Sequence, residues 1–143
     1  MIYDINVWGH CESSNKIFLL QKKVIQIINN KPYRSHTNAL FNQHRILKFS
    51  DTYKLQVALF VYDYFHDNLP SSFHEFFMGN TNQTGRNFYN LFRFRPRTKF
   101  SSKLPGHKFP EIWNSLSNLS KASTSKRMFK NVIKNQLLLE YTD

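Results

Sequence analysis

The sequence of 143 residues has one cysteine and no long apolar run, and each shortage excludes a class of protein. Because Cys11 has no partner in the chain, no intrachain disulfide can form, which is typical of a reducing compartment. No apolar run approaches the roughly 20 residues of a membrane-spanning helix, and the N-terminus lacks the basic and then apolar pattern of a secretory signal. We therefore expect a soluble, intracellular protein of the nucleus or cytoplasm, without a membrane partner.

Acidic residues are also few, and their positions argue against catalysis. Nucleotidyl transfer with two metal ions requires clustered carboxylates, whereas none of the nine acidic residues adjoins another. Asp63 and Asp67 stand one helical turn apart, which is more typical of a solvated helix edge than of a catalytic pair. The chain has no Gly-rich phosphate loop and no G-x-S-x-G motif. We predict that it is not an enzyme and has no small-molecule substrate.

Metal ligands are scattered as well. His10 adjoins Cys11, but there is no second cysteine and no pair of histidines at zinc-ligand spacing. His36, next to Thr37, is more typical of a helix cap or turn than of a general base. The sequence therefore predicts no metal site and no cofactor in this chain.

Positive charge is what the chain has in excess, with a formal net charge of +11. Residues 1–75 hold eight Lys or Arg and six Asp or Glu, whereas residues 76–143 hold twelve and three. Nucleic-acid phosphate is the usual partner of such an excess in an intracellular protein. We expect the first half to be scaffold and the second half to face RNA or DNA.

Apolar periodicity predicts a mainly α fold, beginning with a helix from about Ser14, its N-cap, to Asn30. Residues 1–14 before it are expected to form a short strand or an extended lead-in. Lys22 and Lys23 on this helix could contact phosphate or form a solvated face, and the solvated face is favoured. The stripe expected to enter the core consists of Ile17, Leu20, Val24, Ile27 and Ile28.

Two more helices complete the predicted core. Ser50–Asp51 is expected to cap a helix over residues 52–66, which is apolar on nearly every side and so should be buried. A shorter helical segment from His36 to about His44 precedes it. The last helix is predicted to run from about Thr124 to Tyr141. Its expected buried stripe consists of Phe129, Val132, Ile133 and Leu137.

Residues 78–110 are predicted to be irregular because Gly and Pro recur along them, and Ile112–Leu116 is expected to begin a brief helical turn. An extended chain would place the alternating basic residues of this region on one face. Pro96 excludes a central strand and leaves an edge strand or an extended loop. The alternating residues are Arg93, Arg95, Arg97 and Lys99.

The basic residues of the second half are the predicted nucleic-acid-binding site, because they can neutralise phosphates. The interleaved aromatics Phe88, Tyr89, Phe92 and Phe94 could stack on bases, but packing onto the core is favoured for them. The residues of this predicted site are Arg86, Arg93, Arg95, Arg97, Lys99, Lys126, Arg127, Lys130 and Lys134.

A series of motifs resembles the region that follows the polymerase in jockey-like, LINE-type (non-LTR) retrotransposon reverse transcriptases. The matching elements occur in the family's order, with Ala39 and Ser117 standing where the family has proline. Those elements are Tyr3–Gly9 (Y-x-x-x-W-G), Leu20–Ile28 (L-Q-K-[KR]-[AV]-[IL]-[RQ]-I-I), His36–Phe41 (H-T-x-P-L-F), Tyr53–Tyr62 (a helix ending F-M-Y-K), Leu69–Phe73 (L-P-x-x-F), Ile112–Leu116 (W-N-S-L-P) and Phe129–Leu138 (F-K-x-x-L-K-x-x-L-L).

This resemblance implies a parent polyprotein that is an RNA-directed DNA polymerase and also contains an endonuclease. The magnesium ions of that polymerase would be bound by carboxylates that lie outside this chain. The resemblance also implies one non-catalytic domain over residues 1–143, made of a helical scaffold (1–77), a basic irregular segment (78–110) and a C-terminal helical part (111–143). Expected partners are RNA or DNA and the polymerase region of the parent. The alternative is a protein-interaction module that docks on the polymerase thumb without contacting nucleic acid.

Overall fold

The structure, a computed structural model, describes residues 5–11, 13–73, 77 and 90–141. Its described residues form α-helices and two short 3-10 turns, Ser71–Phe73 and Ser101–Lys103, which confirms the mainly α class. None of these helices has both the length and the apolar character needed to cross a lipid bilayer. The α-helices are α1 (Ile5–Trp8), α2 (Ser14–Ile28), α3 (Asn38–Gln43), α4 (Phe49–Phe65), α5 (Pro105–Ser115), α6 (Asn118–Lys121) and α7 (Lys126–Leu139).

The chain forms two compact units. The first takes in the chain up to Leu55 together with Asn131 onwards, and the second is Gln56–Lys130. The boundaries fall inside α4 and α7, so each of these helices contributes residues to both units.

In the first unit the expected lead-in is instead the short helix α1. Its Ile5 is buried, and the N–H of Gly9 donates to the carbonyl of Ile5 at 2.7 Å. A Cβ at Gly9 would lie 2.5 Å from both that carbonyl and the Tyr53 ring, so the chain passes too close for any other residue. Trp8 stacks on Phe49 with ring centroids 5.4 Å apart. These contacts outweigh the alternating pattern that predicted an extended chain.

Four of the five residues in the apolar stripe predicted for α2 are exposed, which contradicts their expected place in the core, and the fifth, Ile17, is half-buried. Leu20 is 60% exposed, and Val24, Ile27 and Ile28 are more than half exposed. The helix packs through a neighbouring face, on which Phe18 stacks on Phe41 and Ile25 is buried.

Gln21 also joins α2 to the chain before and at the start of α4. Its amide nitrogen donates to the carbonyl of Leu47 at 2.8 Å, and its oxygen accepts the N–H of Phe49 at 2.9 Å. These bonds satisfy polar groups at the start of α4, which would cost free energy if left unpaired. Helix α4 accordingly begins at Phe49, so Ser50–Asp51 lies in its first turn rather than capping it.

The second unit confirms that the middle of α4 is a core element. Val57, Val61 and Tyr62 are almost completely buried. Trp113 of α5 stacks on Phe65, with ring centroids 5.3 Å apart. Edge and stacked aromatic contacts of this kind add to the stabilisation that comes from burial of apolar area.

Helix α5 occupies residues that were predicted to be irregular, and Ile112–Leu116 marks its end rather than a beginning. Pro105 is tolerated because the first helical residue needs no N–H donor. Pro110 lies inside the helix and is buried, as are Phe109 and Trp113 on either side. This apolar burial offsets the backbone hydrogen bond that Pro110 cannot donate.

The C-terminal helices differ from the prediction in detail. The short helix α6 was not predicted, and the side chain of Ser117 caps it by accepting the N–H of Ser120 at 3.2 Å. Helix α7 begins two residues later than expected, at Lys126, and ends at Leu139. Val132 is exposed, whereas Leu138 is buried in its place.

Candidate nucleic-acid interface

The alternating basic residues Arg93, Arg95, Arg97 and Lys99 lie in the second unit, and we call residues 93–99 the basic segment. One end of the segment is anchored by Leu91, which is buried. The side-chain amide of Asn114 accepts the N–H of Leu91 at 2.9 Å and donates to its carbonyl at 2.8 Å. Asn114 of α5 therefore holds the chain where the basic segment begins.

Beyond Leu91 the chain has no regular structure through Pro96, and it bends and turns at residues 97–100. All four basic side chains of the segment are exposed. Among the described residues, none of the four takes part in an ion pair or a side-chain hydrogen bond. Their positive charges are therefore available to an external anion.

The other end of the segment is fixed by a network between Thr98 and Ser101. The hydroxyl of Ser101 donates to the carbonyl of Thr98 at 2.9 Å, and the N–H of Ser101 donates to the Thr98 hydroxyl at 3.1 Å. The two hydroxyls also bond to each other at 3.1 Å. Hydrogen-bonded ends reduce the conformational entropy that the segment would lose on binding.

A mainly apolar cleft of about 390 Å³ opens beside the basic segment. Such a volume is within the range of small-ligand sites. The side chains of Arg95 and Arg97 stand on its wall, so positive charge borders an apolar surface. The cleft is lined by Phe94, Arg95, Pro96, Arg97, Thr98, Ser101, Leu104, Gly106 and His107.

Phe92, just before the basic segment, and Phe94 within it are about half exposed, contrary to the favoured expectation that they pack onto the core. Phe92 and Phe94 are 46% and 52% exposed and contact each other edge-to-face, with centroids 5.2 Å apart. Leu91, rather than these rings, provides the anchor, which leaves their faces open for stacking on bases. Phe88 and Tyr89, like the predicted site residue Arg86, lie outside the described residues.

Glu111 is the acidic side chain of α5. The hydrogen bond that it accepts from Lys108 at 2.8 Å is the main reason why its pKa is lowered, with smaller contributions from the charges of Lys108, Arg93 and His107. The carboxylate is thus already paired with Lys108, so Arg93 is not held in an ion pair with it.

The basic residues of α7 differ from one another in availability. Lys126 is paired with Asp63 at 2.5 Å, so Asp63 is not the solvated edge that its spacing predicted. Arg127 and Lys130 are exposed, and neither forms an ion pair with a described residue. Lys134 is half-buried and belongs to the first unit. Of the predicted row, Arg127 and Lys130 therefore offer unpaired charge in the second unit.

Sequence reasoning missed Lys121, a lysine that is 2% exposed. Its ammonium donates to the side-chain oxygen of Asn90 at 2.8 Å and lies over the Trp113 ring. Burial lowers the pKa of Lys121 because it disfavours the charged form. Sequence reasoning also missed that Leu104 and His107 line the cleft. Pro105 before apolar residues at helical spacing is a usable signal for the helix start that places them there.

Within the described part of the chain, no group of three or more His, Cys, Asp or Glu side chains is placed to hold a metal ion. In the comparisons with known proteins, no family model, curated protein or solved structure matches the chain.

Proposed function

We propose that this chain is a non-catalytic domain that binds the phosphate backbone of RNA or DNA through its basic segment, with little dependence on base sequence. The observation that supports this most directly is the set of four exposed, unpaired cations between two fixed ends. Arg and Lys in such a segment gain affinity by releasing the counterions of the phosphates. The adjacent apolar cleft and the exposed rings of Phe92 and Phe94 favour strands whose bases are unpaired.

We also propose that the domain belongs to the region after the polymerase of a jockey-like non-LTR retrotransposon reverse transcriptase. The motifs that carry this resemblance coincide with residues that hold the fold. Gln21 of the L-Q-K-K motif fixes the start of α4, and Asn114 of the W-N-S-L motif anchors the basic segment. The nucleotide sequence preceding the Met1 codon tests this parentage, since we expect an in-frame polymerase motif with adjacent aspartates there.

Binding of labelled oligonucleotides by the full chain, measured by fluorescence anisotropy over a range of salt concentrations, tests the function. If about six phosphates of duplex DNA are contacted, log affinity should fall against log salt with a slope near −5. A slope near zero, or no binding at low salt, would contradict the proposal.

A pair of charge reversals locates the site. We expect Arg95→Glu with Arg97→Glu to weaken binding strongly, and Lys16→Glu with Lys31→Glu, which changes net charge equally on the other unit, to weaken it much less. Arg93 is left unchanged because a carboxylate there would stand near Glu111. Equal losses in both double variants would point to net charge alone and against a defined site.

The exposed apolar face of α2 favours a second candidate, a protein-interaction module that docks on the parent polymerase. Contiguous exposed apolar side chains are typical of interaction sites. Leu20→Asp with Ile27→Asp should then abolish binding to the polypeptide encoded upstream, while leaving oligonucleotide binding intact. If Leu20→Asp with Ile27→Asp abolishes that docking and the unaltered chain binds no oligonucleotide at low salt, the second candidate replaces the first.

A further inference from the structure

A second cleft, of about 510 Å³, lies in the first unit, where α2 faces the chain that leads to α3. We call it the basic cleft. Its wall contains three side chains that are always cationic at neutral pH and one histidine, and none of the residues that line it is acidic. The lining consists of Leu19, Lys22, Lys23, Gln26, Tyr33, Arg34, Ser35, His36, Thr37 and Asn38.

The wall of the basic cleft is held in place by Gln26, which is 6% exposed. Its side-chain amide nitrogen donates to the carbonyls of Tyr33 at 2.9 Å and Ser35 at 3.0 Å. The hydroxyl of Ser35 also donates to the carbonyl of Pro32 at 2.7 Å. The chain that carries Arg34 is thus fixed from both sides, so the cleft does not have to be formed when a ligand arrives.

The cations of this cleft are not neutralised by the protein. Within the described ranges, Lys22, Lys23, Arg34 and His36 take part in no ion pair. The ammonium groups of Lys22 and Lys23 lie instead over the rings of Phe18 and Tyr33, 4.9 and 5.9 Å from the centroids. Such exposed cation–π contacts are weaker than charge-assisted hydrogen bonds to phosphate, so a phosphate can draw these lysines away.

We propose that the basic cleft binds a phosphate group of the same nucleic acid strand, as a second anchor point in the first unit. This inference rests on the proposed nucleic-acid function. The planar guanidinium of Arg34 suits a phosphate with two parallel hydrogen bonds, and Lys23 adds a point charge beside it. Tyr33 is 74% exposed at the rim, where its ring can stack on the base attached to that phosphate.

The first experiment follows backbone and side-chain amide signals of the ¹⁵N-labelled full chain by NMR during titration with inorganic phosphate, against chloride at equal ionic strength. We expect saturable shifts of the Gln26 side-chain amide and of the backbone amides of Ser35 and Thr37. The double variant Lys23→Gln with Arg34→Gln should lose these shifts. Shifts that are absent, or that persist in the variant, overturn the inference.

The second experiment measures a short oligothymidylate by anisotropy. Because each phosphate of a single strand that is neutralised contributes about 0.7 to the salt slope, loss of the one phosphate held by Lys23 and Arg34 should reduce the slope by about 0.7. The control Lys16→Gln with Lys31→Gln removes the same charge outside the cleft and should leave the slope unchanged. Urea unfolding of both variants verifies that the fold is intact.

The outcomes separate this inference from the proposed function. If Arg95→Glu with Arg97→Glu weakens binding but Lys23→Gln with Arg34→Gln does not, the basic cleft is refuted and the basic segment stands. If only the cleft variant weakens binding, the inference stands and the basic segment is refuted as the site. If no oligonucleotide binds at low salt, both the proposed function and the inference about the basic cleft are refuted.

Discussion

Replacing Tyr141 by phenylalanine removes a single oxygen atom from the core of the first unit. The phenol of Tyr141 donates to the carboxylate of Asp51 at 2.5 Å and accepts the N–H of Lys48 at 3.0 Å. Asp51 is 5% exposed and is also paired with Lys54 at 2.9 Å. The variant Tyr141→Phe therefore leaves one donor without its acceptor and a carboxylate with one partner instead of two.

The expected loss of unfolding free energy is about 2–3 kcal/mol. A hydrogen bond to a charged acceptor contributes about 1.5–3 kcal/mol. The remaining pair with Lys54 limits the cost at Asp51. Packing changes little, because the phenylalanine ring still contacts Phe41 and still lies beneath the ammonium of Lys48, 4.0 Å from its centroid. The measured loss therefore reports on the hydroxyl rather than on a cavity.

Equilibrium unfolding of the full chain in urea, followed by far-UV circular dichroism at pH 7, measures this loss. The matched control is Tyr33→Phe, which removes a hydroxyl from an exposed ring and should change stability by less than about 0.5 kcal/mol. A loss below about 1 kcal/mol for Tyr141→Phe would refute the reasoning, as would equal losses for the two variants.

The same substitution has a pH signature. Burial, reinforced by the hydrogen bond with Asp51, raises the pKa of Tyr141 well above its ordinary value of 10. A tyrosine whose pKa is higher in the folded than in the unfolded state contributes its full stabilisation below pH 10. That contribution is lost as the pH rises from 10 towards the pKa of the folded state. The advantage of the wild type over Tyr141→Phe should therefore shrink above pH 10. The pKa of Tyr64 is also raised, but its contribution is the same in both proteins and cancels from the difference in unfolding free energy.

Three further predictions concern the second unit. Because the pKa of Lys121 is lowered in the folded state, its charged form costs free energy of folding below pH 10.5, so the wild type should gain stability as the pH approaches that value. Lys121→Met should abolish this gain. Urea titrations at several pH values measure the free energy of unfolding, and an unchanged pH dependence in the variant would contradict the prediction. Asn114→Ala should lower the free energy of unfolding by about 2–3 kcal/mol and speed hydrogen exchange at the backbone amide of Leu91. Unchanged protection of that amide would show that Asn114 is not the anchor. Ser117→Ala removes the cap of α6 and should lower the free energy of unfolding by about 1 kcal/mol in the same urea assay. A loss near zero would contradict this prediction.

Helix α4 shows what could be predicted from the sequence. A segment that is apolar on nearly every side has one stable place, in the core, whichever neighbours surround it. Its start was placed too late because Ser50–Asp51 resembles a cap. The carboxylate of Asp51 bonds instead to Tyr141, 90 residues further along the chain. No local pattern contains that partner.

Helices α2 and α5 show why the rest could not be predicted. The hydrogen bonds of Gln21 lie on the packed side of α2 while its most apolar face is exposed, and hydrophobic periodicity takes no account of such bonds. In α5, Pro105 and Pro110 were interpreted as helix breakers. Pro105 fits at the first helical position, and the burial around Pro110 offsets its missing donor. In both helices tertiary contacts overrode a local signal.

The alternating residues Arg93, Arg95, Arg97 and Lys99 lie exposed on an irregular segment, and their binding to nucleic acid stays a prediction. The division into a scaffold half and a phosphate-facing half stays a prediction, but net charge along the sequence is not the same as local charge in space. Residues 1–75 are nearly neutral in total, yet folding brings Lys23 and Arg34 to the same cleft, which no acidic residue lines. Two acidic residues of that half are paired elsewhere, Asp51 with Lys54 and Asp63 with Lys126. A backbone phosphate responds to the charges within about 8–10 Å, so the basic cleft can bind one even though its half of the sequence carries little net charge.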